Sequence, residues 1–124
     1  MTLIKQEGVE SDISAYQEAV ELNPRDASSY NKLGAAYFNR GEYESAIVAY
    51  KNAIELTPND VDAYNSLGAV YYKHDRIELA IFETKRAIKI NPEHEKAHMN
   101  LGVIYIKVGF LEDALVAFAA GYWD

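Results

Sequence analysis

The chain has 124 residues, 49% of them hydrophobic and 25% charged; this is the length of about one domain and the composition of a globular protein, which excludes disordered and fibrous classes. Twelve Lys and Arg against 19 Asp and Glu leave a formal charge of -7, which argues against nucleic acid or an anionic membrane surface as the main partner. With no Cys, disulfides, thiolate metal sites and cysteine nucleophiles are excluded, and a reducing compartment fits.

The opening MTLIKQEGVESD holds no apolar run long enough for a signal peptide or a spanning helix, so a cytoplasmic protein is expected. Residues 8–24 read as a leading helix, with Ile13, Tyr16, Ala19 and Val20 at helical spacing. Its ISAYQEAVELNP (13–24) parallels IVAYKNAIELTP (47–58), so it reads as the second half of a unit whose first half is missing. From there a period of 34 governs the chain, aligning Pro24 with Pro58 and Pro92, Leu33 with Leu67 and Leu101, and Gly34 with Gly68 and Gly102. Tyr37, Tyr71 and Tyr105 follow the same period, as do Ala46, Ala80 and Ala114.

The units are therefore 27–60, 61–94 and 95–124, the third four residues short of completion. Each divides into two apolar-periodic stretches around Gly41, Asp75 or Gly109, which predicts a helix, a short turn and a second helix. In the first helix Tyr30, Gly34 and Tyr37 share one face. A mid-helix Gly costs about 1 kcal/mol against Ala, so its recurrence predicts close approach of a neighbouring helix, with Ala46, Ala80 and Ala114 as the small facing surface. Pro stops each second helix, and Asp26 or Asp60 caps the helix that follows.

Tyr30, Leu33, Gly34, Tyr37, Ala46, Tyr50, Ala53 and Pro58 together resemble the tetratricopeptide repeat, and the likeness covers residues 13–124. Thr84 and His98 stand where that pattern has an aromatic, and Gly121 where it has Ala. The resemblance implies an all-α, right-handed solenoid of antiparallel helix pairs, about seven helices in one domain, whose first helices line a concave groove.

The sequence NPEHEKAH contains H-E-x-x-H, the zinc signature of a class of metalloproteases. That chemistry needs both imidazoles on one helix face. The repeat register puts His94 at the capping place of Asp26 and Asp60, and His98 at the core place of Tyr30 and Tyr64, so the two rings should diverge. His74 falls at a helix end, and no phosphate-binding Gly loop or Gly-x-Ser-x-Gly elbow is present. No catalytic residue, metal site or cofactor is assigned.

By the resemblance, the groove is built from Ser28, Asn31, Ala35, Phe38 and Asn39, then Asp62, Asn65, Ala69, Tyr72 and Lys73, then Lys96, Met99, Val103, Ile106 and Lys107, with Lys32, Ser66 and Asn100 at an adjoining position. Phe38, Tyr72 and Ile106 form an apolar stripe of period 34, and Lys73, Lys96 and Lys107 are basic on an acidic chain. Together they point to a peptide or protein partner with apolar anchors and acidic groups, while a structural stripe topped by solubilising Lys is the competing reading. The side-chain amides of Asn31, Asn65 and Asn100 suit a peptide backbone. The carboxylate clamp of the family's co-chaperones corresponds here to Asn31, Ala35, Ser66, Lys96 and Asn100, of which Lys96 alone matches.

The final stretch ALVAFAAGYWD carries no charge between Asp113 and Asp124, so Leu115, Phe118, Tyr122 and Trp123 are expected to leave an apolar patch. Three covers fit, a second copy packing end to end, a swapped helix or the continuation of a longer array; a two-fold homodimer through this last helix is the first expectation, since a closed interface avoids fibres. The leading reading is a non-enzymatic protein-binding module, and the alternative is a scaffold that self-assembles through its last helix.

Overall fold

A computed structural model describes the backbone of residues 2–123 and the side chains of residues 12–121. The fold is all-α, as expected. Its helices are α1 (Thr2–Leu22), α2 (Ala27–Asn39), α3 (Tyr43–Leu56), α4 (Val61–Lys73), α5 (Ile77–Ile90), α6 (Glu95–Val108) and α7 (Leu111–Trp123). The leading helix thus starts before residue 8 and stops at Leu22, and Pro24 and Arg25 form the turn, closed by the Asp26 N–H donating to the Asn23 carbonyl oxygen. Two compact units divide the chain, Met1–Pro58 and Asn59–Asp124.

In the first unit α1, α2 and α3 enclose Ile13, Leu33 and Ala49, with Tyr16, Val20, Ala36 and Tyr37 packed around them. Gln17 Nε2 donates to the Tyr37 hydroxyl at 2.6 Å, which fixes α1 against α2. In the second unit α4 pairs with α5, and α6 with α7, while α5 and α4 both meet α6. Leu67, Val70, Tyr71, Leu101 and Ile104 form its buried centre.

The recurring glycines explain how the pairs close. A Cβ at Gly34 would meet the Tyr50 ring at 2.9 Å, and one at Gly102 would meet the Phe118 ring at 2.5 Å. The partner is therefore the aromatic four residues beyond Ala46 or Ala114, not the Ala itself as the spacing suggested. In the middle pair Thr84 replaces the aromatic, and the backbones approach instead: a Cβ at Gly68 would overlap the Thr84 hydroxyl and stand 3.2 Å from the Ala80 carbonyl oxygen. Ala46, Ala80 and Ala114 are all buried.

Each first helix starts on a side-chain acceptor. Asp26 accepts from the Ser28 N–H, Asp60 from the Ala63 N–H and His94 from the Ala97 N–H. Each pair turns through one residue of positive φ, Gly41 (81°), Asp75 (60°) and Gly109 (83°). The following N–H then reaches back five residues: Glu42 to the Tyr37 carbonyl, Arg76 to Tyr71 and Phe110 to Tyr105.

Candidate functional site

In the second unit, α6 carries Lys96, Met99, Val103 and Ile106 at steps of three, four and three residues, which is one helix face. All four are exposed, Ile106 half of its surface. The buried residues of α6 are Ala97, Leu101, Gly102 and Ile104, so the row lies outside that core, and of its members Met99 reaches α7, where its Sδ would stand 3.2 Å from a Cβ at Gly121. The exposed row is available to a partner.

The neighbouring helix α4 adds a half-buried Tyr72, an exposed Lys73 and the buried Asn65. Asn100 Nδ2 donates to Asn65 Oδ1 at 2.7 Å, so these two amides hold each other across α4 and α6, and the Asn65 carbonyl is occupied. Lys107 is engaged as well: its Nζ lies 5.3 Å from the Tyr72 ring centroid and 3.5 Å from Asp75 Oδ1. Lys73 and Lys96 are the more open positive groups of this face.

In the first unit the corresponding positions on α2 are less open. Asn31 and Phe38 are half-buried and Asn39 is exposed. The Phe38 ring packs at 5.9 Å and a tilt of 49° against Tyr43 at the start of α3. This contact gives Phe38 a role within its own helix pair.

The imidazoles of the H-E-x-x-H stretch diverge as the register required. His94 precedes α6, with Nε2 3.0 Å from Asp62 Oδ1, while His98 Nε2 lies 2.7 Å from the Pro92 carbonyl oxygen. Among the described residues no group of three His, Cys, Asp or Glu side chains stands close enough to hold a metal ion. The contacts His94 to Asp62 and Lys107 to Asp75 were not legible in the sequence, because each links side chains 32 residues apart that only the stacking of helices brings together.

At the last helix Leu111 and Leu115 are 63% and 69% exposed, and Val116 is 71% exposed. Phe118 is turned the other way, its ring against Gly102, so it belongs to the α6–α7 packing and not to the outer patch. Tyr122 and Trp123 lie outside the residues whose side chains are described.

Comparison with known proteins agrees with the helix pairing. A pattern described as TPR repeat matches residues 34–75, and patterns described as Tetratricopeptide repeat match 15–48 and 61–94. The chain belongs to the tetratricopeptide repeat family. Two crystal structures of MamA superpose with a TM-score of 0.83 each, at 31% and 30% identity, covering 89% and 91% of this chain and 64% and 62% of theirs. The chain thus spans just under two thirds of the length of these two proteins. A double mutant, MamA RS-1 ArsTM, superposes with a TM-score of 0.85 over 97% of this chain and 67% of its own, and at 21% identity shows the fold alone. A comparison with curated protein sequences gave no match. Tetratricopeptide repeats are protein-interaction modules, and that general role is this chain's.

Proposed function

We propose that the α4–α6 face of the second unit is a peptide-binding surface that takes an acidic segment with apolar anchors, without catalysis and in the cytoplasm. The observation that carries this reading is the exposed row Lys96, Met99, Val103 and Ile106 on one side of α6. Apolar side chains at this spacing match the i, i+3/i+4, i+7 anchors of a helix or the alternate side chains of an extended strand. Lys73 and Lys96 give the face a positive edge on a chain of net charge -7, and complementary charge sets partner choice and association rate more than affinity.

Selection from a random displayed peptide library tests it. The enriched sequences are expected to be acidic with two or three apolar residues, and to bind more weakly as salt rises. Ile106→Asp or Lys96→Glu should weaken a selected peptide at least about tenfold, which corresponds to losing one central contact. Selection of basic peptides, or binding indifferent to both substitutions, would remove the proposal.

A second reading is supported by Leu115. The equivalent positions of the two preceding repeats hold Ile47, which is buried, and Ile81, which is half-buried, whereas Leu115 is 69% exposed. A second copy packing on this face would make assembly part of the function.

A further inference from the structure

We propose that His94 is a proton-operated cap, which holds the first turn of α6 only while its imidazole is neutral. The other two first helices, α2 and α4, begin on carboxylates, Asp26 and Asp60, whose oxygens accept from the helix at 3.1 Å. An ionised carboxylate is an acceptor only, so no proton on these caps opposes the helix N–H. At the third place His94 Nδ1 accepts from the Ala97 N–H, also at 3.1 Å.

That bond fixes the state of the ring. A nitrogen that accepts from a backbone N–H carries no proton, so the proton of the neutral imidazole sits on Nε2. Nε2 lies 3.0 Å from Asp62 Oδ1 and donates to it. One neutral ring therefore caps α6 with one nitrogen and ties α6 to the start of α4 with the other.

A second proton goes to Nδ1, which then faces the Ala97 N–H donor to donor. The cap bond is lost, and the Nε2–H contact to Asp62 becomes an ion pair. Protonation thus exchanges a bond inside α6 for a charge pair between α6 and α4. Asp62 from α4 is the charge in contact with the ring; Glu93 in the turn after α5 and Glu95 and Lys96 on α6 are its charged neighbours along the chain, with His98 one turn further on. From α7, Gly121 packs on this turn, where a Cβ would stand 3.1 Å from the Glu95 carbonyl oxygen, and it brings no charge. The side chain of Asp62 is 85% exposed, and an ion pair so open to water restrains little. Ala97 keeps its weaker 3.2 Å contact to the His94 carbonyl oxygen, so the first turn loosens without the helix unfolding. Lys96 and Met99 ride on that turn, so the proton would also tune the peptide face; this link alone rests on the function proposed above.

Nuclear magnetic resonance of the whole ¹⁵N-labelled chain, from about pH 7.5 to pH 5, spans the range in which histidines change charge. The His94 ring is expected in its Nε2–H tautomer at the upper end. On acidification the exchange protection of the Ala97 amide, corrected for its intrinsic rate, should fall about fivefold, the weight of one helix cap. H94D, which restores the residue type of Asp26 and Asp60, should hold its Ala97 protection across the range. An Nδ1–H tautomer at neutral pH, or equal loss of protection in H94D, overturns the assignment. The readout uses no ligand, so it fails or succeeds independently of the peptide face.

Discussion

Thr84 is fully buried, and its hydroxyl meets no hydrogen-bonding partner among the described residues. A buried hydroxyl without a partner costs about 1–3 kcal/mol, whereas an apolar group of the same shape costs nothing of that kind. Thr84→Val is therefore expected to raise stability by about 1 kcal/mol, read as a higher urea midpoint at unchanged slope. A lower midpoint would mean that the hydroxyl is bonded. The first and third pairs predict the opposite sign for enlargement. Gly102→Ala forces a methyl into the Phe118 ring and should destabilise by about 1–3 kcal/mol, in spite of the better helix propensity of Ala, and Gly34→Ala should do the same against Tyr50. The period made these glycines visible at once. Which side chain fills the space above them was not visible, since Ala46 and Tyr50 both lie on the inner face of α3 and the choice between them depends on how the helices cross.

The inter-helix turns repeat one geometry with unequal residues. Gly41 and Gly109 adopt positive φ without a Cβ penalty, while Asp75 adopts φ 60° as the one non-Gly residue to do so among those described. Its ion pair with Lys107 is a poor reward, because the Asp75 side chain is 78% exposed and water screens the pair. Asp75→Gly should consequently stabilise by about 0.5 kcal/mol, and Gly109→Ala should destabilise by about 1–2 kcal/mol. Paired thermal melts would check both, and an Asp75→Gly variant that melts lower would assign more to the Lys107 contact than its exposure allows. Helix starts and stops were legible here because they are chemistry at fixed offsets: Asp26 and Asp60 before a helix, Asn-Pro or Thr-Pro after one. The earlier start of α1 was not, because MTLIKQEG offers neither a cap nor a clear apolar period.

At the scale of the whole chain, the repeat register alone points to the outward face of α6, since position within the unit decides which side chains look outward. It could not say that Asn65 and Asn100 would bond to each other, that Lys107 would lie over Tyr72, or that Phe118 would turn into its own pair. The last point changes the test of self-association. Removing Phe118 would damage the α6–α7 packing, so a monomer made that way would be uninformative. Leu111 and Leu115 stand one turn apart on the outer side of α7 and are mostly exposed, so Leu111→Ser with Leu115→Ser strips the patch down to Val116 and leaves the fold. Size-exclusion chromatography with light scattering should then give twice the chain mass for the parent and the single mass for the variant, with melting temperatures within about 2 °C at the same dilute concentration. The mechanism is burial: each Leu covered by a second copy contributes at about 25 cal/mol per Å², and a two-fold axis brings the same pair from both copies into one closed interface. A monomeric parent at high concentration would leave the α6 face as the interaction surface and would turn the exposed Leu pair into a property of α7 alone.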